Sequence, residues 1–171
     1  VTSLGSGPGN DLPCNATALN LSSPAGGDNN CSGSASEPGV PVCWSTGTMN
    51  TVWYSVVVPA SGKLRIRTTA GSLLNTQIAA YTGTCSSLTY LACNDNVSSC
   101  SGFTSNDSEL NLTGLAAGTL FIRVDGTAST TGTFSILAVD GNDPITAIPG
   151  QDCGDPNPVC NSVMAISNPG Y

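Results

Sequence analysis

Eight cysteines and no histidine, in a chain of 171 residues, constrain this protein more than any other feature of its sequence. An even number of cysteines beside only four basic residues is typical of a disulfide framework in an oxidising, extracellular compartment. The absence of histidine removes the side chain used most often as a general base or transition-metal ligand. The sequence therefore favours a disulfide-bonded scaffold outside the cell over an enzyme.

The spacing of the cysteines favours disulfides over a metal site, because no C-x-x-C pair is present. Cys85 and Cys93 flank a segment of hairpin size, and we expect them to pair. Many other connectivities remain open for eight cysteines. The remaining pairings that we consider are Cys14 with Cys31, Cys43 with Cys100, and Cys153 with Cys160.

The net charge of −7 argues against several classes of partner. Nucleic-acid binding needs clustered Lys and Arg, and attraction to an anionic membrane needs the same. No apolar run approaches the roughly 18 residues of a membrane span. The chain starts at Val1 without a visible signal peptide, so we expect a processed or excised segment.

Short β-branched and aromatic segments, separated by glycine-containing turns, recur from residue 51 onward, and no amphipathic helix is visible. Lys63–Thr69 alternates cleanly between apolar and basic residues, as expected of a strand with one buried face. The fold class is therefore all-β: an antiparallel, jelly-roll-like β-sandwich of about eight strands, held by disulfides. The predicted strands are Ala16–Leu21, Thr51–Val58, Lys63–Thr69, Thr76–Thr82, Leu88–Ala92, Ser108–Thr113, Thr119–Asp125 and Gly132–Val139.

Composition divides the chain into three parts. Residues 1–140 form the predicted sandwich. Residues 141–150 (GNDPITAIPG) are rich in proline and turn residues, which is typical of a linker. Residues 151–171 are either the start of a following module or a segment that links neighbouring subunits, for example by strand addition to an open sheet edge.

The segment from Asn10 to Val139 resembles bacterial pre-peptidase C-terminal (PPC) domains, in particular disulfide-bearing relatives in surface and gliding-associated proteins of Bacteroidota. The resemblance implies a non-catalytic accessory β-sandwich of secreted enzymes, adhesins or filaments. The motifs that carry it are Asn10-Asp11, Cys14, Val52-Trp53-Tyr54-Ser55, Pro59-Ala60-Ser61-Gly62, Asn75-Thr76-Gln77-Ile78, Tyr81-Thr82-Gly83-Thr84-Cys85, Leu91-Ala92-Cys93-Asn94-Asp95, Leu115-Ala116-Ala117-Gly118-Thr119, Ile122-Arg123-Val124 and Gly132-Thr133-Phe134.

Calcium is the one cofactor that the sequence suggests. Asn94 and Asp95 lie in a loop after a predicted strand, and Asp11 could approach them, which would provide the oxygen ligands that Ca²⁺ prefers. Asn and Asp in loops also form Asx-turns without any ion. Relatives usually carry Asp where this chain has Asn75, which weakens the calcium hypothesis.

A row of positive charge, Lys63, Arg65 and Arg67, occupies one face of a predicted strand. Such a row needs acidic partners, because the side chains lie about 7 Å apart. Cross-strand pairing with Glu109 or Asp125 is one interpretation. The other is an interface, in which the row docks against an acidic sister subunit or an anionic glycan.

Catalytic motifs are absent from the sequence: it contains no Gly-x-Ser-x-Gly and no phosphate-binding glycine loop before a helix. We expect a non-enzymatic extracellular structural or adhesive module, either a repeat of a bacterial surface protein or a subunit of a surface filament. Its partners would be sister subunits or neighbouring repeats of the same protein. Surface glycans are the other class of partner that we consider. The alternative is a carbohydrate-binding accessory module that stacks sugars on Trp44 and loop aromatics, with or without calcium.

Overall fold

The computed structural model describes residues 7–35, 37–44, 49–96 and 106–143, and these form a two-layered β-sandwich. The strands are β1 (Thr17–Ala18), β2 (Ala25–Asp28), β3 (Val52–Val57), β4 (Leu64–Ala70), β5 (Thr76–Thr84), β6 (Ser87–Asn94), β7 (Glu109–Leu112), β8 (Thr119–Gly126) and β9 (Thr133–Asp140). Short 3₁₀ turns span Pro13–Asn15 and Thr127–Ser129. The predicted fold class is confirmed.

Two sheets make up the sandwich. The first sheet has the strand order β1-β3-β8-β5-β6, and the second has the order β2-β9-β4-β7. Every pairing is antiparallel except the two-residue bridge between β1 and β3, which is parallel. The predicted antiparallel sandwich thus has one short parallel bridge at its edge.

The core lies between the sheets and follows from the alternation of the sequence. On β4, Leu64, Ile66 and Thr68 point inward and are buried, while the residues between them are only partly buried. β9 shows the same alternation, with Phe134 and Ile136 facing the core. The second sheet thus buries one face and exposes the other to water, as antiparallel sheets commonly do.

Seven of the predicted strands match observed strands to within a few residues at their ends. The segment Ala16–Leu21 contains only the two-residue β1. Strand β2 was missed altogether, because Ala25-Gly26-Gly27-Asp28 offers neither β-branched residues nor a pattern of alternation.

The disulfides contradict the predicted pairings. Cys14 bonds Cys85, with the Cα atoms 4.8 Å apart, and Cys43 bonds Cys93, with the Cα atoms 6.1 Å apart. Cys85 lies in the tight turn between β5 and β6, whereas Cys93 pairs with Ala79 far along the hairpin. Eight residues of strand span about 26 Å, well beyond the roughly 7 Å that a disulfide can bridge.

The remaining cysteine predictions fall into two groups. The pairings Cys14–Cys31 and Cys43–Cys100 are wrong, because Cys14 and Cys43 have other partners. Cys31 is exposed and forms no disulfide within the described part of the chain. Cys100, Cys153 and Cys160, together with the predicted second segment 151–171, lie outside the described residues.

Candidate functional site

The central strands of the first sheet, β3, β8 and β5, are buried on both faces over much of their length, unlike the strands of the second sheet. Its outer face carries Trp53, Ala79, Tyr81 and Arg123, all at most 1 % exposed. A covering segment, residues 37–44 and 49–51, lies over this face and contributes Trp44 to a second, smaller hydrophobic cluster. The disulfide Cys43–Cys93 fastens the covering segment to β6.

An ion pair without solvent exposure holds the covering segment down. Arg123 Nη2 lies 2.6 Å from Glu37 Oε2, and both side chains are 0 % exposed. Arg123 Nη1 also donates to the carbonyl of Pro38 at 2.9 Å. Glu37 in turn accepts hydrogen bonds from Trp53 Nε1 and Thr51 Oγ1, each at 2.6 Å.

The surroundings of Arg123 suit a buried cation. Its guanidinium carbon lies 5.3 Å from the Trp44 ring centroid and 5.6 Å from that of Trp53, which are cation–π distances. Taking two charges out of water is costly unless their hydrogen-bonding groups are satisfied. Here Glu37 and the two Nη atoms of Arg123 have partners, while the buried Arg123 Nε has no hydrogen bond to any described residue. The arrangement stabilises a closed cover and leaves no space for a substrate at the ion pair.

Asp125 is a second buried charge beneath the same cover. It is 1 % exposed, and its Oδ1 accepts hydrogen bonds from the backbone N–H groups of Asn50 at 3.0 Å and Gly126 at 2.7 Å. Burial raises the pKa of Asp125 to about 6, against the opposing effect of these hydrogen bonds. Asp125 therefore changes its protonation state in a mildly acidic range.

The candidate calcium ligands bind three different parts of the chain. Asp11 Oδ1 accepts from Gly33 N at 2.7 Å, and Asn94 Oδ1 accepts from Glu109 N at 3.1 Å. Asp95 Oδ1 accepts from Thr127 Oγ1 at 3.2 Å. Within the described ranges no three or more His, Cys, Asp or Glu side chains form a group that could hold a metal ion. Calcium binding stays a prediction, and these side chains act as loop-stabilising acceptors.

The row of basic residues lies on the outer face of the second sheet, and each member has a partner. Arg65 Nε lies 3.4 Å from Glu109 Oε2, and Arg67 Nη2 lies 3.4 Å from Asp107 Oδ2. Lys63 Nζ donates to Asn142 Oδ1 at 3.0 Å. The predicted pairing with Glu109 is confirmed for Arg65.

Pairing of the basic row with Asp125 was wrong, because Asp125 belongs to β8 in the other sheet and is buried there. The interface role of Lys63, Arg65 and Arg67 stays a prediction. Arg65 and Arg67 already have acidic partners in Glu109 and Asp107, whereas the partner of Lys63 among the described residues is the neutral amide of Asn142.

Trp44 is unavailable for stacking against a sugar. It is 6 % exposed, and its Nε1 donates to the carbonyl of Ile78 at 3.1 Å. Among the described aromatic side chains only Tyr90 is strongly exposed, at 44 %, and its hydroxyl lies 3.1 Å from Cys93 Sγ. Trp44 belongs to the covering segment and not to a binding platform.

A groove that the sequence did not indicate opens between the edges of the two sheets. This β1–β2 groove has a volume of about 480 Å³. Tyr54 and Phe134 form its floor, with their ring centroids 6.2 Å apart in an edge-to-face arrangement. Its lining comprises Pro8, Asn10, Thr17, Gly26, Gly27, Asp28, Tyr54, Thr133 and Phe134.

Glycine is required at one position of the groove. A Cβ atom on Gly27 would collide with the Phe134 ring and the Tyr54 hydroxyl, so the two aromatic side chains lie directly against the β2 backbone. A Cβ atom on Gly26 would meet open space. Burial raises the pKa of Tyr54 to about 12, so its hydroxyl stays protonated at the floor of the groove. A glycine within a strand can mark a close approach of another group to the backbone, but Gly26-Gly27 alone identifies neither the strand nor the groove.

Residues 50–126, which include β3 to β8, match the family model of the bacterial pre-peptidase C-terminal domain. This part of the chain is therefore similar to PPC domains. The family resemblance drawn from the sequence motifs is thereby confirmed, and PPC domains are non-catalytic modules that are often found in secreted proteins.

Among solved structures, the pre-peptidase C-terminal domain of a collagenase from Bacillus anthracis is similar to this chain, with 14 % sequence identity and a TM-score of 0.45. The match covers 72 % of this chain and 93 % of that one. No curated protein sequence matches the chain. In the part of the chain that the structure describes, no helix is long and apolar enough to cross a membrane.

Proposed function

We propose that this protein is a non-enzymatic structural module of a bacterial secreted or surface protein, which joins neighbouring copies or repeats outside the cell. The observation that carries the proposal is the placement of the two disulfides. They close segments of 71 and 50 residues and fasten the irregular N-terminal region to the β5–β6 hairpin. Long closed segments restrict the unfolded chain most, at about 4 kcal/mol each in the chain-entropy treatment.

The buried ion pair supports the same function. Glu37 and Arg123 are separated by 86 residues and join the covering segment to the central strand β8. Proteolysis and mechanical load act first on irregular segments with few buried contacts. Here the irregular segment is bonded covalently at Cys43 and electrostatically at Glu37, which suits a module that must stay folded without cellular chaperones.

A carbohydrate-binding function has less support. Sugar-binding surfaces present exposed aromatic rings, and the described residues offer only Tyr90, since Trp44 is covered. The paired basic residues of the second sheet also leave little free positive charge for an anionic glycan.

Electron microscopy of the native material tests the proposal. We expect sandwich-sized units in regular series, either along one longer chain or in a filament. A glycan array run with and without Ca²⁺ is the matched control, and we expect no binding. Isolated units that bind a defined glycan with micromolar affinity would contradict the proposed function.

A further inference from the structure

We propose that the free edge of β2 accepts an extended strand from the C-terminal segment, residues 156–171, of a second copy of this chain. The inference rests on the proposed function, since it names the partner and the joining surface of that module. Strand addition to an open edge is a recurring mode of protein recognition, in which backbone hydrogen bonds provide affinity and pockets for alternate side chains provide specificity.

Strand β2 is the last strand of the second sheet on the side of the groove. It pairs with β9 in the register Ala25↔Ile136 and Gly27↔Phe134, and the backbone N–H of Asn29 continues this ladder to Gly132 O. In an antiparallel ladder alternate residues point their backbone groups to one neighbour. The N–H and C=O groups of Gly26 and Asp28 therefore face away from β9, toward the groove side.

The other sheet edges in the described residues are less suited to accept a strand. β1 is only two residues long, and on β7, which has four residues like β2, the backbone N–H of Glu109 already donates to Asn94 Oδ1 at 3.1 Å. β6 contains a bulge at Leu91, where the register with β5 shifts between Ala80 and Tyr81. Bulges and very short strands are usual protections of an edge against pairing. β2 has two glycines in place of a bulge, and a Cβ atom added at Gly26 would meet no atom within 4 Å.

The groove beside β2 provides the pocket that an added strand needs. Its floor is formed by the Tyr54 and Phe134 rings, and it offers about 480 Å³ next to the free edge. Alternate side chains of a strand along β2 would point into this groove. Asp28 at the rim disfavours an acidic occupant, in a chain whose net charge is −7.

The C-terminal segment has the composition of such an occupant. Residues 156–171 (PNPVCNSVMAISNPGY) contain no charged side chain, and Val163–Ile166 is an apolar run of strand length. Asp143, the last described residue, lies near Ser22, three residues before β2, because its Oδ2 accepts a hydrogen bond from Ser22 Oγ at 3.4 Å. It follows the end of β9 at Asp140, about 20 Å along that strand from Phe134 in the groove, so an occupant from residues 156–171 has to reach the groove through the intervening segment.

The length of the intervening segment favours a second copy over the same one. Val163 follows Asp143 by 20 residues, a span of up to about 65 Å when extended, whereas connections within a compact domain are typically about 4–6 residues long. Pro144 and Pro149 also disfavour an immediate return as a paired strand. A long, proline-containing connection suits a bridge between copies.

Two substitutions at one position test the inference in the full, oxidised chain. Gly26→Pro removes the outward N–H and places a ring where the added strand would lie, while the bonds from β2 to β9 stay intact. Gly26→Ala keeps the N–H, and its Cβ meets open space. We expect light scattering to show concentration-dependent assembly for the wild type and Gly26→Ala. For Gly26→Pro, with an unchanged melting temperature, the concentration at half-assembly should rise at least tenfold.

A peptide competition keeps the test decisive if Gly26→Pro does not fold. A synthetic peptide of residues 156–171 carrying Cys160→Ser should inhibit assembly of the wild-type chain, and a scrambled peptide should not. Equal assembly of wild type and Gly26→Pro, or no inhibition by the peptide, would overturn the inference. Protection of residues 156–171 from hydrogen exchange in dilute monomer would overturn it too, because it would indicate docking within one copy.

Failure of the inference is distinguishable from failure of the proposed function. Suppose that electron micrographs show units in series and that Gly26→Pro assembles as well as the wild type. This result would contradict only the use of the β2 edge as the joining surface. Isolated units in the native material would retire the structural function itself.

Discussion

The outer faces of the two sheets differ in what covers them. The outer face of the second sheet meets water and carries partly exposed ion pairs, such as Arg65–Glu109. The outer face of the first sheet lies under the covering segment and carries an ion pair with no exposure, Arg123–Glu37. The same chemical pairing therefore serves two purposes: it neutralises a charged surface on one sheet, and it fastens a segment on the other.

The largest effect is expected from removing the buried cation. Arg123→Ala leaves Glu37 buried without its charge partner and removes two cation–π contacts, so the free energy of unfolding should fall by about 3–5 kcal/mol. Urea unfolding at pH 7 measures the loss. The matched control is Arg65→Ala on the second sheet, which should cost about 1 kcal/mol or less. Equal losses in the two variants would show that the buried pair Arg123–Glu37 stabilises the fold no more than the partly exposed pair Arg65–Glu109.

The next largest loss of unfolding free energy is expected from removing the disulfide of the covering segment. Replacing both Cys43 and Cys93 by Ser releases the segment from β6 and should lower the free energy of unfolding by about 2–4 kcal/mol. Protease cleavage within residues 37–50, followed by mass spectrometry, should become fast in this variant. Cys31→Ser is the control, since Cys31 is exposed and has no disulfide partner in the described residues. A double variant as resistant as that control would refute the fastening role.

The buried Asp125 under the cover of the first sheet should make the free energy of unfolding depend on pH. Its pKa is raised from 3.8 to about 6, so the folded state holds the proton more tightly than the unfolded chain. This contribution to stability is complete below about pH 4 and is lost as the pH rises through about 6, by up to about 3 kcal/mol.

Asp125→Asn removes this titration while keeping an oxygen acceptor for the two backbone N–H groups. The unfolding free energy of the variant relative to wild type should therefore increase between pH 4 and pH 8. Urea titrations at several pH values measure this difference. A difference that stays constant over the range would contradict a raised pKa in the folded state.

The sequence predicted the second sheet much better than the cover of the first. Alternation on β4 is a local property, and it separated the apolar face with Ile66 from the basic face with Arg65. On β8 the burial of Arg123 and Asp125 depends on the covering segment, with Glu37 86 positions and Asn50 75 positions earlier in the chain. Periodicity carries no information about such distant contacts.

The groove and the disulfides were missed for related reasons. β2 has no side-chain pattern, so neither the strand nor the cavity beside it could be inferred from Gly26-Gly27 alone. Cys85 and Cys93 are close in sequence but lie far apart along one hairpin, while their partners come from the N-terminal region. Pairing follows spatial distance, which sequence separation predicts poorly when strands are extended.

The smallest loss of unfolding free energy is expected for Glu109→Gln on the second sheet, and Glu37→Gln on the first sheet is its matched comparison. Glu109→Gln keeps the size of the side chain and removes one charge from a partly exposed pair. The free energy of unfolding should therefore fall by about 1 kcal/mol or less, and added salt should reduce this difference further. Glu37→Gln makes the same change under the cover, where Arg123 would be left without a counter-ion and beyond the reach of salt. Its cost should be several-fold larger and nearly independent of ionic strength. If both variants lose the same small, salt-sensitive amount, water reaches the Arg123–Glu37 pair, and the first sheet is covered no more tightly than the second.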